Sequence, residues 1–92
     1  MNIARVDILD IEKLERKHQV FPYEVEEVLD GAPQIYFAEK GTVTGEDMYL
    51  ALGQTDEGRY LSVFFIYKQN RVALVVSARD MDSKERKRYG KK

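Results

Sequence analysis

Between Arg71 and Tyr89 the chain passes from an apolar run, VALVVSA, to a charged one, SKERKRY. Val72 to Ala78 is rich in β-branched residues and follows the polar pair Gln69-Asn70, which predicts a strand. Counting by twos puts Val72, Leu74, Val76 and Ala78 on one face and Arg71, Ala73, Val75, Ser77 and Arg79 on the other. Both faces are largely apolar, as in a central strand, and Arg79 is delivered to a sheet rim. Asp82 then stands at an N-cap position with Glu85 three residues on, the spacing of a capping box, and a helix follows from about Ser83. On that helix Glu85, Arg86 and Tyr89 share one face beside Arg79.

Upstream, residues 2 to 9 (NIARVDIL) alternate weakly and read as a short strand or an extended lead-in. From Asp10 the spacing of Ile11, Leu14 and His18 predicts an amphipathic helix capped by Asp10 and closed by His18. Phe21-Pro22 opens a second helix, because proline is pre-set for a first turn, and Asp30-Gly31 ends it. Ala32-Pro33 breaks the chain. Gln34 to Phe37 predicts a strand, residues 38 to 46 a glycine-containing loop, Tyr49 to Thr55 a second strand, and Asp56-Glu57-Gly58 a turn. Arg59 to Tyr67 is the third strand, and Lys68 to Asn70 turns into the fourth. The expected fold is α+β: two N-terminal helices packed on a four-stranded antiparallel sheet, with a short C-terminal helix.

Length changes this picture little. Ninety-two residues suit a single domain spanning 1–92 with a modest core, one that a partner can help complete. There is no cysteine, so neither a disulfide framework nor thiolate chemistry is expected. No segment approaches the roughly 20 apolar residues of a membrane span, and the expected location is cytoplasmic.

Charge adds more. The formal net charge is −1, yet residues 1 to 30 carry four basic against eight acidic side chains, and residues 79 to 92 seven basic against three acidic. One end attracts a polyanion and the other repels it, although a basic tail can equally be a solvated surface.

The chemistry-bearing candidates are few. One histidine and no cysteine leave no metal-ligand cluster, and no P-loop, G-x-G-x-x-G or G-x-S-x-G motif is present, so neither metal nor cofactor is expected. The corner of Arg79, Glu85, Arg86 and Tyr89 is where an acid, a phenol and guanidiniums can converge. Each has an ordinary role as well. Arg79 can pair with Asp80, Asp82 or Glu85, Glu85 can serve only as the partner of Asp82, and Tyr89 can pack under the sheet. His18 can be a helix stop favoured by the backbone dipole, or a proton shuttle.

These residues also carry a resemblance. Lys17-His18, Leu52-Gly53-Gln54-Thr55 followed by Asp56-Glu57-Gly58-Arg59, Ser77-Ala78-Arg79, and Glu85-Arg86 with Tyr89 resemble the BrnT family of bacterial toxins. The likeness spans nearly the whole chain and is most specific at its C-terminal end. Gln19 stands where glycine usually follows the histidine. The resemblance implies a RelE/ParE-like fold and the toxin of a type II toxin–antitoxin system. Its activity would be that of a metal-independent endoribonuclease that drives a ribose 2′-hydroxyl onto the adjacent phosphorus. On this reading Arg79 stabilises charge on the phosphoryl oxygens, Glu85, His18 and Tyr89 are the candidates for base and acid, and Arg59, Arg86, Lys87 and Lys17 bind substrate. Tyrosine is a poor base near neutral pH, so Tyr89 suits a donor or a stacking surface better. The implied partners are RNA and a ribbon-helix-helix antitoxin, in a homodimer or a heterotetramer with that antitoxin. The alternative is a non-catalytic module of the same fold that binds an antitoxin or acts as co-repressor.

Overall fold

Local capping signals set the helices. The Asp10 carboxylate accepts a hydrogen bond from the Lys13 N–H at 3.0 Å, and α1 runs Ile11–His18. It stops at Gln19, whose φ of 52° is left-handed and whose N–H returns to the last turn. Helix α2, Pro22–Asp30, starts on its proline. The strands are β1 (Arg5–Ile8), β2 (Gln34–Glu39), β3 (Met48–Gln54), β4 (Tyr60–Lys68) and β5 (Val72–Asp80), and α3 (Ser83–Tyr89) closes the described chain. This computed structural model describes residues 1–90, so Lys91 and Lys92 of the basic end lie outside the described residues.

The sheet differs from the expectation in two ways. It has five strands in the order β1-β5-β4-β3-β2, and it is mixed, because β1 pairs with β5 in parallel. A strand therefore precedes the two helices, in place of the four-stranded antiparallel sheet that the meander alone predicts. The pairing joins Arg5–Ile8 to Val72–Val75. Val6 and Ile8 pack against the helix-side core while Arg5 and Asp7, the alternate residues, face away from it. Four residues with only two apolar positions carry too weak a period to announce this contact.

A β-bulge decides where Arg79 points. The register between β4 and β5 shifts between Phe64 and Phe65, whose partners are Ser77 and Val75, so Val76 is the extra residue of a β-bulge. Past the bulge every side chain changes face. Ala78 joins Ala73 and Val75 in the core beneath α1 and α2. Arg79, paired with Ser62, emerges on the opposite face. Strict alternation would have left Arg79 on the face of Ala73 and Val75.

The sheet thus has two unequal coverings. On one face Leu14, Val25, Val28 and Leu29 of α1 and α2 pack on Ala51, Leu61, Val63, Phe65, Ala73, Val75 and Ala78. On the other, Leu50, Leu52 and Met81 form a smaller cluster with Tyr36, Tyr60, Phe64 and Tyr89. Charge separates with the layers: the acidic residues of α1 and α2 lie on one side, and the basic helix α3 on the other.

Candidate active site

The β5–α3 corner is built by its capping box. Asp82 accepts from the Glu85 N–H at 2.8 Å, and Glu85 Oε1 accepts from the Asp82 N–H at 3.0 Å. The box turns the Glu85 side chain back toward the sheet rim. There Arg79 grips it with both arms of its fork, Nη1 to Oε1 at 2.7 Å and Nη2 to Oε2 at 2.9 Å. The buried Ser62 hydroxyl, from the neighbouring strand, donates to the same Oε1 at 2.7 Å. Arg79 also lies 5.4 Å from the centre of the Phe64 ring.

Glu85 therefore has one saturated oxygen and one, Oε2, bonded to Arg79 Nη2. Burial pushes its carboxyl up, but the hydrogen bonds from Arg79, the Asp82 N–H and Ser62 outweigh that and hold it below the ordinary carboxylate range. The hydrogen bond to Glu85 raises the Arg79 guanidinium further, against a smaller opposing effect of burial. Both groups are charged at neutral pH.

Beside this pair lies an open hollow of about 400 Å³ lined by Gln54, Tyr60, Arg86, Tyr89 and Gly90. Arg86 stacks over Tyr60 at 3.6 Å and Arg88 over Tyr36 at 3.5 Å. Tyr89 meets Tyr60 edge-on, with ring centres 5.9 Å apart. Gln34 donates to the Tyr89 carbonyl at 3.3 Å, fixing the end of α3 on β2. Among the described residues no carboxylate pairs with Arg86 or Arg88, in contrast to Arg79. Lys87 is exposed on the same helix.

The remaining candidates gather elsewhere. Arg59 precedes β4 and binds four acceptors: Asp80 Oδ1 at 2.8 Å, Glu24 Oε1 at 2.9 Å, and the carbonyls of Gln19 and His18 at 2.7 and 3.2 Å. It ties the end of α1, the start of α2 and the end of β5 together. The hydrogen bond to Asp80 is the largest influence raising its guanidinium, and Arg59 in turn lowers the Asp80 carboxyl. His18 joins this hydrogen-bond network through its backbone carbonyl alone, and Lys17 precedes it in the last turn of α1, which covers the other face of the sheet. The structure thus brings Arg79, Glu85, Arg86 and Tyr89 to one corner, and places Arg59, His18 and Lys17 behind it.

Several participants are not evident from the sequence. Ser62 carries a signal: a hydroxyl inside the apolar run Leu61 to Ile66 must find a partner when buried. Gln54, Tyr60, Tyr36 and Arg88 carry none, because their contacts join residues distant in the chain. Among the described residues no group of His, Cys, Asp or Glu side chains is arranged to hold a metal ion, and no helix is long and apolar enough to cross a membrane.

The model of one family, described as the ribonuclease toxin BrnT of type II toxin–antitoxin systems, matches residues 11–85. No curated protein matches the chain. The matched stretch runs from the first residue of α1 to Glu85 and so contains His18, Arg59, Arg79 and the capping box. This chain belongs to the BrnT family of ribonuclease toxins of type II toxin–antitoxin systems.

Proposed function

We propose that the protein is a cytoplasmic endoribonuclease that cleaves RNA without a metal ion and is silenced by a cognate antitoxin. The observation that carries this reading is the forked Arg79–Glu85 pair at the sheet rim, with the cationic hollow lined by Tyr60 and by Arg86 and Tyr89 of the same helix on the same face of the sheet. A scissile phosphate matches the geometry of the carboxylate it would displace from the Arg79 fork. Once displaced, Glu85 Oε2 is an ionised acceptor for the 2′-hydroxyl proton, while Ser62 and the Asp82 N–H keep Oε1 in place. The 2′-oxygen then attacks phosphorus, the bond to the 5′-oxygen breaks, and the products are a 2′,3′-cyclic phosphate and a 5′-hydroxyl. Arg79 stabilises the charge that builds on the phosphoryl oxygens. Tyr89, on the hollow, is better placed than His18 to protonate the leaving oxygen.

In this reading Arg86 and Lys87 hold the flanking phosphates, Arg59 positions β5 through Asp80, and Lys17 adds to the field at the rim. A ribbon-helix-helix antitoxin covers the corner. The filling of the Arg79 fork by Glu85 favours a second reading, a non-catalytic module that binds the antitoxin or serves as co-repressor.

Induced expression of the wild type and of Arg79→Ala separates the two. The ribonuclease reading expects growth arrest with RNA cleavage, abolished by the substitution. Equal and harmless expression of both proteins supports the interaction module.

A further inference from the structure

We propose that the hollow beside α3 is a subsite for one unpaired nucleobase, and that Gln54 is the residue that reads the base. The proposal deepens the ribonuclease reading and rests on it for the placing of the base next to the cleaved phosphate.

The walls of the hollow are planar. Arg86, an exposed residue, lies over one face of Tyr60 at 3.6 Å and lines the hollow. Tyr89 stands at 82° to Tyr60 and forms a perpendicular wall. A guanidinium plane is a stacking surface for a base, and its charge suits a ligand that arrives with phosphates on either side. A site for phosphate alone would instead converge several donors on a point.

The polar group at this site is a neutral carboxamide. Gln54 and Tyr60 are cross-strand partners on β3 and β4, so their side chains stand side by side on the α3 face. Gln54 Nε2 donates to the Gly58 carbonyl at 3.3 Å, which fixes which end of the amide carries nitrogen. Among the described residues its second N–H and its Oε1 have no other partner, an adjacent donor and acceptor suited to the edge of a base.

The position fits a polynucleotide track. Tyr60 and Ser62 lie two residues apart on one face of β4, about 7 Å along the strand. Tyr60 floors the hollow and Ser62 holds Glu85. A base seated against Arg86 therefore brings its neighbouring phosphate to the Arg79 fork.

The test uses the full chain and single-stranded deoxyhexanucleotides, which lack the 2′-hydroxyl and cannot be cleaved. One set differs only in a central base, and one member lacks that base. The expected result is that base-bearing hexamers shift the NMR resonances of the Gln54 side-chain amide and of Tyr60. The abasic hexamer should bind about fivefold or more weakly, the loss of one stacked base. Exposed Gln54 tolerates Gln54→Leu, which should bring the affinities for the different bases together. Arg86→Ala should weaken the base-bearing hexamers more than the abasic one. Equal binding of abasic and base-bearing hexamers, with Gln54 and Tyr60 unmoved, overturns the proposal. Cleavage of the matching ribohexamers is measured in parallel. Base-dependent binding without cleavage keeps the subsite and sinks the ribonuclease reading, and cleavage with base-indifferent binding does the reverse.

Discussion

Arg79 and Glu85, six residues apart across the β5–α3 corner, are joined by two hydrogen bonds of 2.7 and 2.9 Å. The same carboxylate closes the capping box and accepts from buried Ser62. One side chain thus links the last strand, the strand beside it and the closing helix, and fills the Arg79 fork.

Stability should depend on pH through this carboxylate. Its folded-state pKa is depressed, so the stabilisation is present above the unfolded value of about 4.3 and is lost as pH falls through the folded one. Asp80, depressed by its hydrogen bond from Arg59, acts in the same direction. Urea denaturation from pH 7 downward should show the wild type losing stability below about pH 5. Glu85→Gln should be less stable at pH 7 by about 1–3 kcal/mol and lose less on acidification.

Arg59 serves both helices and the sheet, so Arg59→Ala should cost about 2–4 kcal/mol by removing the cation from Glu24, which keeps only its bond from the Phe21 N–H, and the donor from two helix-terminal carbonyls. Arg59→Lys keeps the charge but not the fork and should recover only part of this. Denaturant midpoints at neutral pH check both. Hydrogen exchange should show the junction of α1 and α2 opening in the alanine variant.

Arg86 and Arg88 lie on tyrosine rings with no carboxylate partner among the described residues, which leaves them available to phosphates. Removing either should weaken binding to single-stranded RNA. The slope of log affinity against log salt should fall by about 0.7 for each phosphate the variant no longer neutralises. Thermal melts should remain close to the wild type, since exposed cation–aromatic stacks contribute only about 0.5–1 kcal/mol.

At Gln19 the chain adopts a φ of 52° to leave α1. A side chain there costs about 1–2 kcal/mol, and glycine, without a Cβ, avoids it. Gln19→Gly should raise stability by up to about 1 kcal/mol, reduced by removal of the Gln19 Nε2 bond to the Arg16 carbonyl. Thermal denaturation of the variant checks the sign.

What the sequence determined by itself was local. Asp10 and Asp82 start α1 and α3, proline starts α2, and the apolar runs make β4 and β5, because capping and periodicity act between residues a few positions apart. The capping box and the grouping of Glu85 near Arg79 were legible for that reason, and the charge imbalance between the two ends could be counted. Only the tertiary structure decided that Arg5–Ile8 joins the sheet in parallel, since that contact pairs segments more than 60 residues apart. The bulge at Val76 likewise depends on how β5 meets β4, and it alone turns Arg79 to the face where α3 lies. Arg59 read as a substrate ligand beside a glycine turn, yet its four acceptors come from helix ends and from Asp80, brought to it by packing. A guanidinium seeks whatever carboxylates and carbonyls the fold places around it, and no spacing along the chain states which those are.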